Sequence, residues 1–279
     1  MASTPETTST KKSFFNEDNK SLFWLIALIL FVRGFVVEPF KIPSGSMIPT
    51  LLVGDHLFVS KSSYDIGLPF SNVKLFKVSD PNRGDVAVFD YPNYEKAPDK
   101  EGIYYIKRII GIPGDRITVR GGIPIINETP VRQDRMSPED ASPLLPGYDP
   151  TPDSPLFLET LSGSQNKHWV QRYQTILSEL PYIASEFKKV SGKDCLDLTS
   201  AMTSKNSFER FVAMNEVCTF TIPENKYFVM GDNRDDSADG REWGFVDRSL
   251  LKGRALMIWI SKVPDVWALR FSRTGLKIN

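Results

Sequence analysis

From Ser21 to Val37 the chain carries an almost unbroken apolar run, Ser21-Leu-Phe-Trp-Leu-Ile-Ala-Leu-Ile-Leu-Phe-Val32 and then Arg33-Gly-Phe-Val-Val37, with one charge near its far end. These 17 positions reach the short limit of a bilayer-crossing helix. They lack the polar face that a helix packed on a soluble core shows. Residues 1–20 are polar and rich in Ser and Thr, the composition of a disordered tail. The pattern predicts a single-span anchor over residues 21–37, with Arg33 close enough to its end to reach the interface. Lys11, Lys12 and Lys20 precede the span, which places the N-terminus in the cytoplasm and everything from Glu38 onward outside it. A basic start and an apolar centre also fit a cleaved leader. No small-x-small site follows Val37, however, and a retained span is the better reading.

After the anchor the apolar positions come in short runs bounded by Gly and Pro. Leu57–Ser60, Asp85–Tyr91, Ile103–Ile110, Arg116–Val119, Lys226–Met230 and Arg254–Ile260 read as strands. They do not alternate with long helices, so the fold class is mostly β and a parallel α/β sheet is disfavoured. Between about residues 130 and 219 the character changes. Residues 137–155 are dense in Ser, Pro and Asp and read as a loop. Trp169, Val170, Tyr173, Ile176, Leu177 and Leu180 recur at helical spacing up to Pro181, and Phe208, Phe211 and Val212 suggest a second short helix. The expectation is a partly helical lobe, 130–219, inserted in a β-rich domain made of 38–129 and 220–279.

Charge narrows the function. The 34 basic and 34 acidic residues cancel, which argues against nucleic acid as a partner. The two cysteines, Cys195 and Cys218, lack the paired spacing of a zinc site. If their segment is exported, the compartment permits a disulfide but does not show that the two are close.

Candidate chemistry begins at Lys41-Ile-Pro-Ser-Gly-Ser-Met-Ile-Pro-Thr50, a polar turn between prolines just past the membrane exit. A serine nucleophile needs a base, and histidine is the usual one. Only His56 and His168 occur. His56 opens a strand and reads as structural, whereas His168, beside Trp169, reads as a solvated helix position. Lysine is the alternative, provided it is neutral. A free lysine titrates near about 10.4, and burial can lower that by several units. Lys107 lies inside the apolar strand Ile103-Tyr-Tyr-Ile-Lys-Arg-Ile-Ile110, on one face with Tyr105 and Ile109 while Ile106 and Arg108 point to the other. Most strand lysines are solvated and most Ser-Gly-Ser turns are only turns, so neither feature decides the matter alone.

The set of blocks does. Phe40-Lys-Ile-Pro-Ser-Gly-Ser-Met-Ile-Pro-Thr-Leu51, Arg83-Gly-Asp-Val-Ala-Val-Phe89, Tyr105-Ile-Lys-Arg-Ile-Ile-Gly-Ile-Pro-Gly-Asp115 and Met230-Gly-Asp-Asn-Arg-Asp-Asp-Ser-Ala-Asp-Gly-Arg-Glu-Trp-Gly-Phe-Val246 follow one another behind the anchor. In content and order they resemble type I signal peptidase, the bacterial leader peptidase. The resemblance implies an antiparallel-sheet catalytic domain and a membrane-anchored serine endopeptidase, held by one span in the bacterial inner membrane with its catalytic part on the periplasmic side. It implies Ser46 as nucleophile and Lys107 as general base. Ser44 would offer its hydroxyl to the oxyanion hole, Ser237 would orient the amine, and Gly231 would allow close backbone approach to the lysine. Asp239 and Arg241 would form a supporting ion pair. Phe40, Ile42, Leu51, Tyr105 and Ile106 would line shallow substrate pockets, although each taken singly reads as core packing. The partners implied are signal peptides of exported preproteins, with small residues at the cleavage site, and the lipid bilayer. No metal or other cofactor is implied. A self-cleaving repressor-type protease shares the Ser-Lys chemistry, but it carries a DNA-binding domain where this chain has its apolar run. A tethered β domain that only binds partners is the non-enzymatic rival.

Overall fold

Val86-Ala-Val-Phe-Asp90 is apolar at four successive positions, and all four side chains are buried. Val86 and Val88 pack into one cluster with Leu57 and Ile258, while Ala87 and Phe89 pack into another with Ile109 and Val229. A strand covered on both faces requires such a run. The computed structural model describes residues 17–68, 71, 73–92, 98–120, 122–149, 155–163, 166–172 and 220–279.

The strands in chain order are β1 (Val37–Lys41), β2 (Asp55–Ser60), β3 (Asp65–Gly67), β4 (Lys74–Lys77), β5 (Val86–Asp90), β6 (Tyr104–Gly111), β7 (Arg116–Arg120), β8 (Ile123–Ile126), β9 (Thr129–Pro130), β10 (Arg132–Met136), β11 (Leu156–Thr160), β12 (Lys167–Gln171), β13 (Phe220–Thr221), β14 (Lys226–Met230), β15 (Val246–Asp247) and β16 (Leu251–Ser261). A seven-stranded sheet runs β1-β2-β16-β5-β6-β14-β15, antiparallel at every step. Smaller sheets are β13-β7-β8-β9, β10-β11-β12 and the hairpin β3-β4. Alternation along β14 shows how these layers join: Tyr227 and Val229 face the cluster around Phe89, whereas Phe228 and Met230 face one shared with Ile117, Val119 and Ile126. Each fully buried side chain of this size contributes about 1.5–3 kcal/mol.

The predicted strand runs are all present within a few residues of their expected ends. The extension of β16 back to Leu251 includes Gly253, where the pairing with β5 shifts register, and such an interruption hides a strand from pattern reading.

Two readings are corrected. First, the N-terminal helix α1 spans Glu17–Phe31 and so starts inside the stretch read as tail. It continues into a π-helical turn, Val32–Val36. The side chains of Leu22, Trp24, Leu25, Leu28 and Phe31 on α1 are exposed. No helix among the described residues is long and apolar enough to cross a membrane. Second, Trp169 and Val170 are strand residues of β12, and His168 beside them is buried at 4% exposure, not solvated on a helix. Cross-strand pairing of His168 with Glu159 overrides the helical spacing. In the described part of the 130–219 region the regular structure is therefore chiefly the strands β10–β12, with a short helix, α2 (Pro138–Ala141), and a 3-10 turn, Ser142–Leu144. Tyr173, Ile176, Leu177, Leu180, Phe208, Phe211, Val212, Cys195 and Cys218 lie outside the described residues, as do Lys11 and Lys12.

Candidate active site

The turn that carries Ser46 is held from beneath and from the side. Ile42, Met47 and Leu51 are buried in the cluster of Val59 and Val88, which seats the turn on the sheet. Ile48 N–H donates to the Gly45 carbonyl and Leu51 N–H to that of Met47. From across the molecule, Asn233 donates its backbone N–H to the Ser46 carbonyl at 3.1 Å and its side-chain amide to that of Gly45 at 3.1 Å. Thr50 Oγ1 donates to Asp232 Oδ2 at 2.6 Å. The prolines on either side limit what the turn has to lose in entropy.

Lys107 reaches the same turn from β6, where it pairs with Ala87. Its side chain is 3% exposed, and its Nζ lies 2.7 Å from Ser46 Oγ. Burial pushes the amine down to about 8, against the pull of Asp239 and Asp232 and with some help from Arg241. Roughly a tenth of the amine is therefore neutral at pH 7 and about half near pH 8, at hydrogen-bond distance from a half-buried hydroxyl.

Met230-Gly-Asp-Asn-Arg, at the end of β14, and helix α3 (Gly240–Trp243) close the site. Asp239 is the hub of this segment. Its Oδ2 accepts from the Gly231 N–H, the Ser237 hydroxyl and Arg241 Nη2, each at 2.8 Å, and its Oδ1 accepts from Arg241 Nε at 2.8 Å. Burial raises its carboxyl, but the Arg241 charge and these bonds outweigh that and hold it below the ordinary carboxylate range. Ser237 is thus bonded to Asp239. A Cβ on Gly231 would overlap Ser237 Oγ and the Ser46 carbonyl oxygen, so the close approach made here is to the two serines. Ser44 is exposed at the rim of the turn. Among the apolar pocket candidates, Ile42 and Leu51 are core members of one cluster with Phe40 and Ile106 packed against it, while Tyr105 packs on the opposite face beside Tyr91 and Phe89.

Sequence reasoning passed over two buried ion pairs behind this site. Arg108, next to the lysine and 1% exposed, binds both oxygens of Asp232 at 2.7 and 2.8 Å. Arg234 binds Glu159 through both Nη atoms and donates Nε to the Gly231 carbonyl at 3.1 Å. Burial pushes the Glu159 carboxyl up, yet Arg234 and His168 outweigh it and keep it ionised. Burial and then the charge of Arg108 hold His168 below its ordinary value. The only sequence signal was charge placed inside apolar strands; the partners lie 75 and 124 positions away.

Comparison with known proteins gives one consistent answer. The family described as signal peptidase, peptidase S26, matches residues 16–260. Signal peptidase I of Buchnera aphidicola subsp. Acyrthosiphon pisum is 36% identical over 274 residues, covering 97% of this chain and 82% of that one. The protein of the same name from Buchnera aphidicola subsp. Schizaphis graminum is 37% identical over 283 residues, covering 95% and 82%. Signal peptidase I of Pseudomonas fluorescens is 33% identical over 278 residues, covering 95% and 80%.

Proposed function

This chain belongs to the signal peptidase family, peptidase S26, and from that premise we propose that it removes signal peptides from exported precursors with Ser46 as nucleophile and Lys107 as general base. It is a serine peptidase, a hydrolase. The observation that carries the residue assignment is the 2.7 Å approach of a buried lysine amine to a serine hydroxyl.

The steps follow from that geometry. Neutral Lys107 takes the Ser46 hydroxyl proton as Oγ bonds to the scissile carbonyl carbon. The oxygen that becomes negative lies beside the Ser46 N–H, with the Ser44 hydroxyl as a second donor; loss of one such donor typically costs about 100-fold or more. The Lys107 ammonium then gives its proton to the departing amine as the C–N bond breaks, leaving an ester on Ser46. Water, deprotonated by the same lysine, attacks that ester, and the Ser46 hydroxyl is restored. Asp239 bonds Ser237 and the Gly231 N–H, which keeps the wall behind the two serines in place. A neutral amine has no tautomer to fix, so no third carboxylate is needed on the lysine.

The substrate lies extended along the open half of β6. β14 pairs with β6 only from Arg108 to Gly111, which leaves Tyr104–Lys107 uncovered on that side among the described residues. An added strand there sets the scissile carbonyl at Ser46 and side chains of small size against Ile42 and Ile106. The enzyme is tethered by its N-terminal helix, with the N-terminus cytoplasmic and residues from Glu38 onward outside. Supporting this, the apolar side chains of α1, Leu22, Trp24, Leu25, Leu28 and Phe31 among them, are exposed instead of packed on the sheet. The test is cleavage of a precursor with an Ala-x-Ala site by full-length protein in detergent. Wild type should cut it once, after the second alanine, and Ser46→Ala should not; equal cleavage by both would end the proposal.

A further inference from the structure

Glu159, on β11, is fully buried and touches neither Ser46 nor Lys107, yet it grips an arginine of the loop that closes the site. Its Oε2 accepts from Arg234 Nη1 at 2.8 Å and from the Gln133 side-chain amide; its Oε1 accepts from Arg234 Nη2, with His168 Nε2 3.1 Å away. A carboxylate so deeply buried is costly, and donors from β10, β12 and the loop beyond β14 offset that cost. We propose that Glu159 is a positioning residue for the peptidase reaction: through Arg234 it fixes the loop that holds the Ser46 turn, so that strands β10–β12 serve the catalytic geometry as well as their own fold. The inference rests on the signal-peptide-cleaving reading above.

The path from Glu159 to the nucleophile is short, and each step is a hydrogen bond. Arg234 donates Nε to the Gly231 carbonyl at 3.1 Å and Nη1 to that of Gly122 at 2.8 Å, so its side chain ties the loop together from one end to the other. Asn233, the residue before it, supplies the two donors that hold the Ser46 and Gly45 carbonyls, each at 3.1 Å. Moving Arg234 therefore moves the group that pins the serine turn.

Two further contacts bring β12 to the same place. Gln171, at its end, pairs with Asn233: its N–H donates to the Asp232 carbonyl and its carbonyl accepts from the Arg234 N–H, each at 2.8 Å. Thr50 Oγ1, at the far end of the Ser46 turn, lies 3.5 Å from the Trp169 carbonyl. The loop is thus held by its backbone from β12 and by a side chain from β11. Stability alone would be served as well by a matched apolar pair. The ion pair adds direction, because a guanidinium fork bound by two carboxylate oxygens has one orientation. Direction is what a reacting pair needs, since a displacement of about 1 Å can cost about 100-fold in rate.

The experiment compares wild type, Glu159→Gln and the double variant Glu159→Leu with Arg234→Met, each full-length in detergent, on a precursor with an Ala-x-Ala site. The double variant strands no charge and should fold, which thermal melts check. Both variants should lose about tenfold or more in kcat well below their melting temperatures, with KM nearly unchanged. The rising limb of kcat/KM should also move to higher pH, because a displaced turn lets water reach Lys107. The charged groups that act on that amine, Asp239, Asp232, Arg241 and Glu242, are the same in all three proteins. If Glu159→Gln does not fold, the double variant decides. A folded double variant with the kcat and pH limb of wild type, or one that cannot fold at all, would assign the pair to stability alone and overturn the inference while leaving the dyad standing. Failure of wild type to cut the precursor would overturn the underlying function, and this inference with it.

Discussion

Lys107 Nζ and Ser46 Oγ meet at 2.7 Å although 61 positions separate them in the chain. The lysine comes from a strand paired on its other side, and the serine from a turn pinned by Asn233 to the loop beyond β14. Neither can drift without breaking several hydrogen bonds.

Removing either member should abolish turnover while leaving the fold. Ser46→Ala and Lys107→Ala are expected to lower kcat by at least about 10³-fold with little change in melting temperature. Lys107→Arg should be as inactive as Lys107→Ala, because a guanidinium stays protonated and cannot accept the hydroxyl proton. Steady-state kinetics with circular dichroism checks both; an active Lys107→Arg would exclude the proton-transfer role.

The pH dependence follows from the lysine. Its amine is pushed down to about 8, so kcat/KM should rise with pH along a limb centred near that value as the neutral form appears. The same shift acts on stability. Between about 8 and the unfolded value of 10.5 the unfolded chain binds more protons than the folded one, so Lys107's contribution to stability rises across that window. Below it a buried ammonium carries a cost on the order of 3 kcal/mol. Lys107→Met should therefore be more stable than wild type at pH 7, with the difference shrinking by pH 10.5 in urea titrations.

Gly231→Ala should be damaging out of proportion to one methyl group. The added carbon would sit 2.6 Å from Ser237 Cβ as well as against the Ser46 carbonyl, which Asn233 holds in place. A fall in kcat of about 100-fold is expected, together with a lower melting temperature. A near-normal enzyme would mean that the loop has more room than its contacts indicate.

Asp239→Asn leaves the buried Arg241 guanidinium without a counter-charge, and destabilisation of about 3–5 kcal/mol is expected at pH 7. Because the folded carboxyl titrates below its ordinary value, its contribution is present above pH 3.8 and is lost as pH falls through the folded value. The gap between variant and wild type should thus narrow in acid, which denaturation at pH 7 and pH 3 can measure.

Glu159→Ala should cost about 3–5 kcal/mol by stranding Arg234 in the interior. The double variant Glu159→Leu with Arg234→Met should recover much of that loss, since a matched apolar pair strands no charge. Thermal melts of the single and double variants test it.

The sequence by itself determined the strand runs, the mostly β class and the apolar N-terminal stretch, because each is a local pattern of burial, punctuation or residue type; it raised Ser46 and Lys107 as candidates by residue type and neighbours, and the resemblance of whole blocks to a known family singled them out. The Asp239–Arg241 pair was named only through the family resemblance of the block 230–246, and the two lie two positions apart on the chain. What only the tertiary structure decided is non-local. Arg108 pairs with Asp232 across 124 positions and Arg234 with Glu159 across 75, and no window of sequence contains both partners. Trp169 and Val170 kept a helical spacing that their pairing with β11 overrode, since a ladder of hydrogen bonds and the buried His168–Glu159 hydrogen bond outweigh an intrinsic preference of a few tenths of a kcal/mol per residue. Local chemistry names the reacting groups, and long-range packing sets the distance between them.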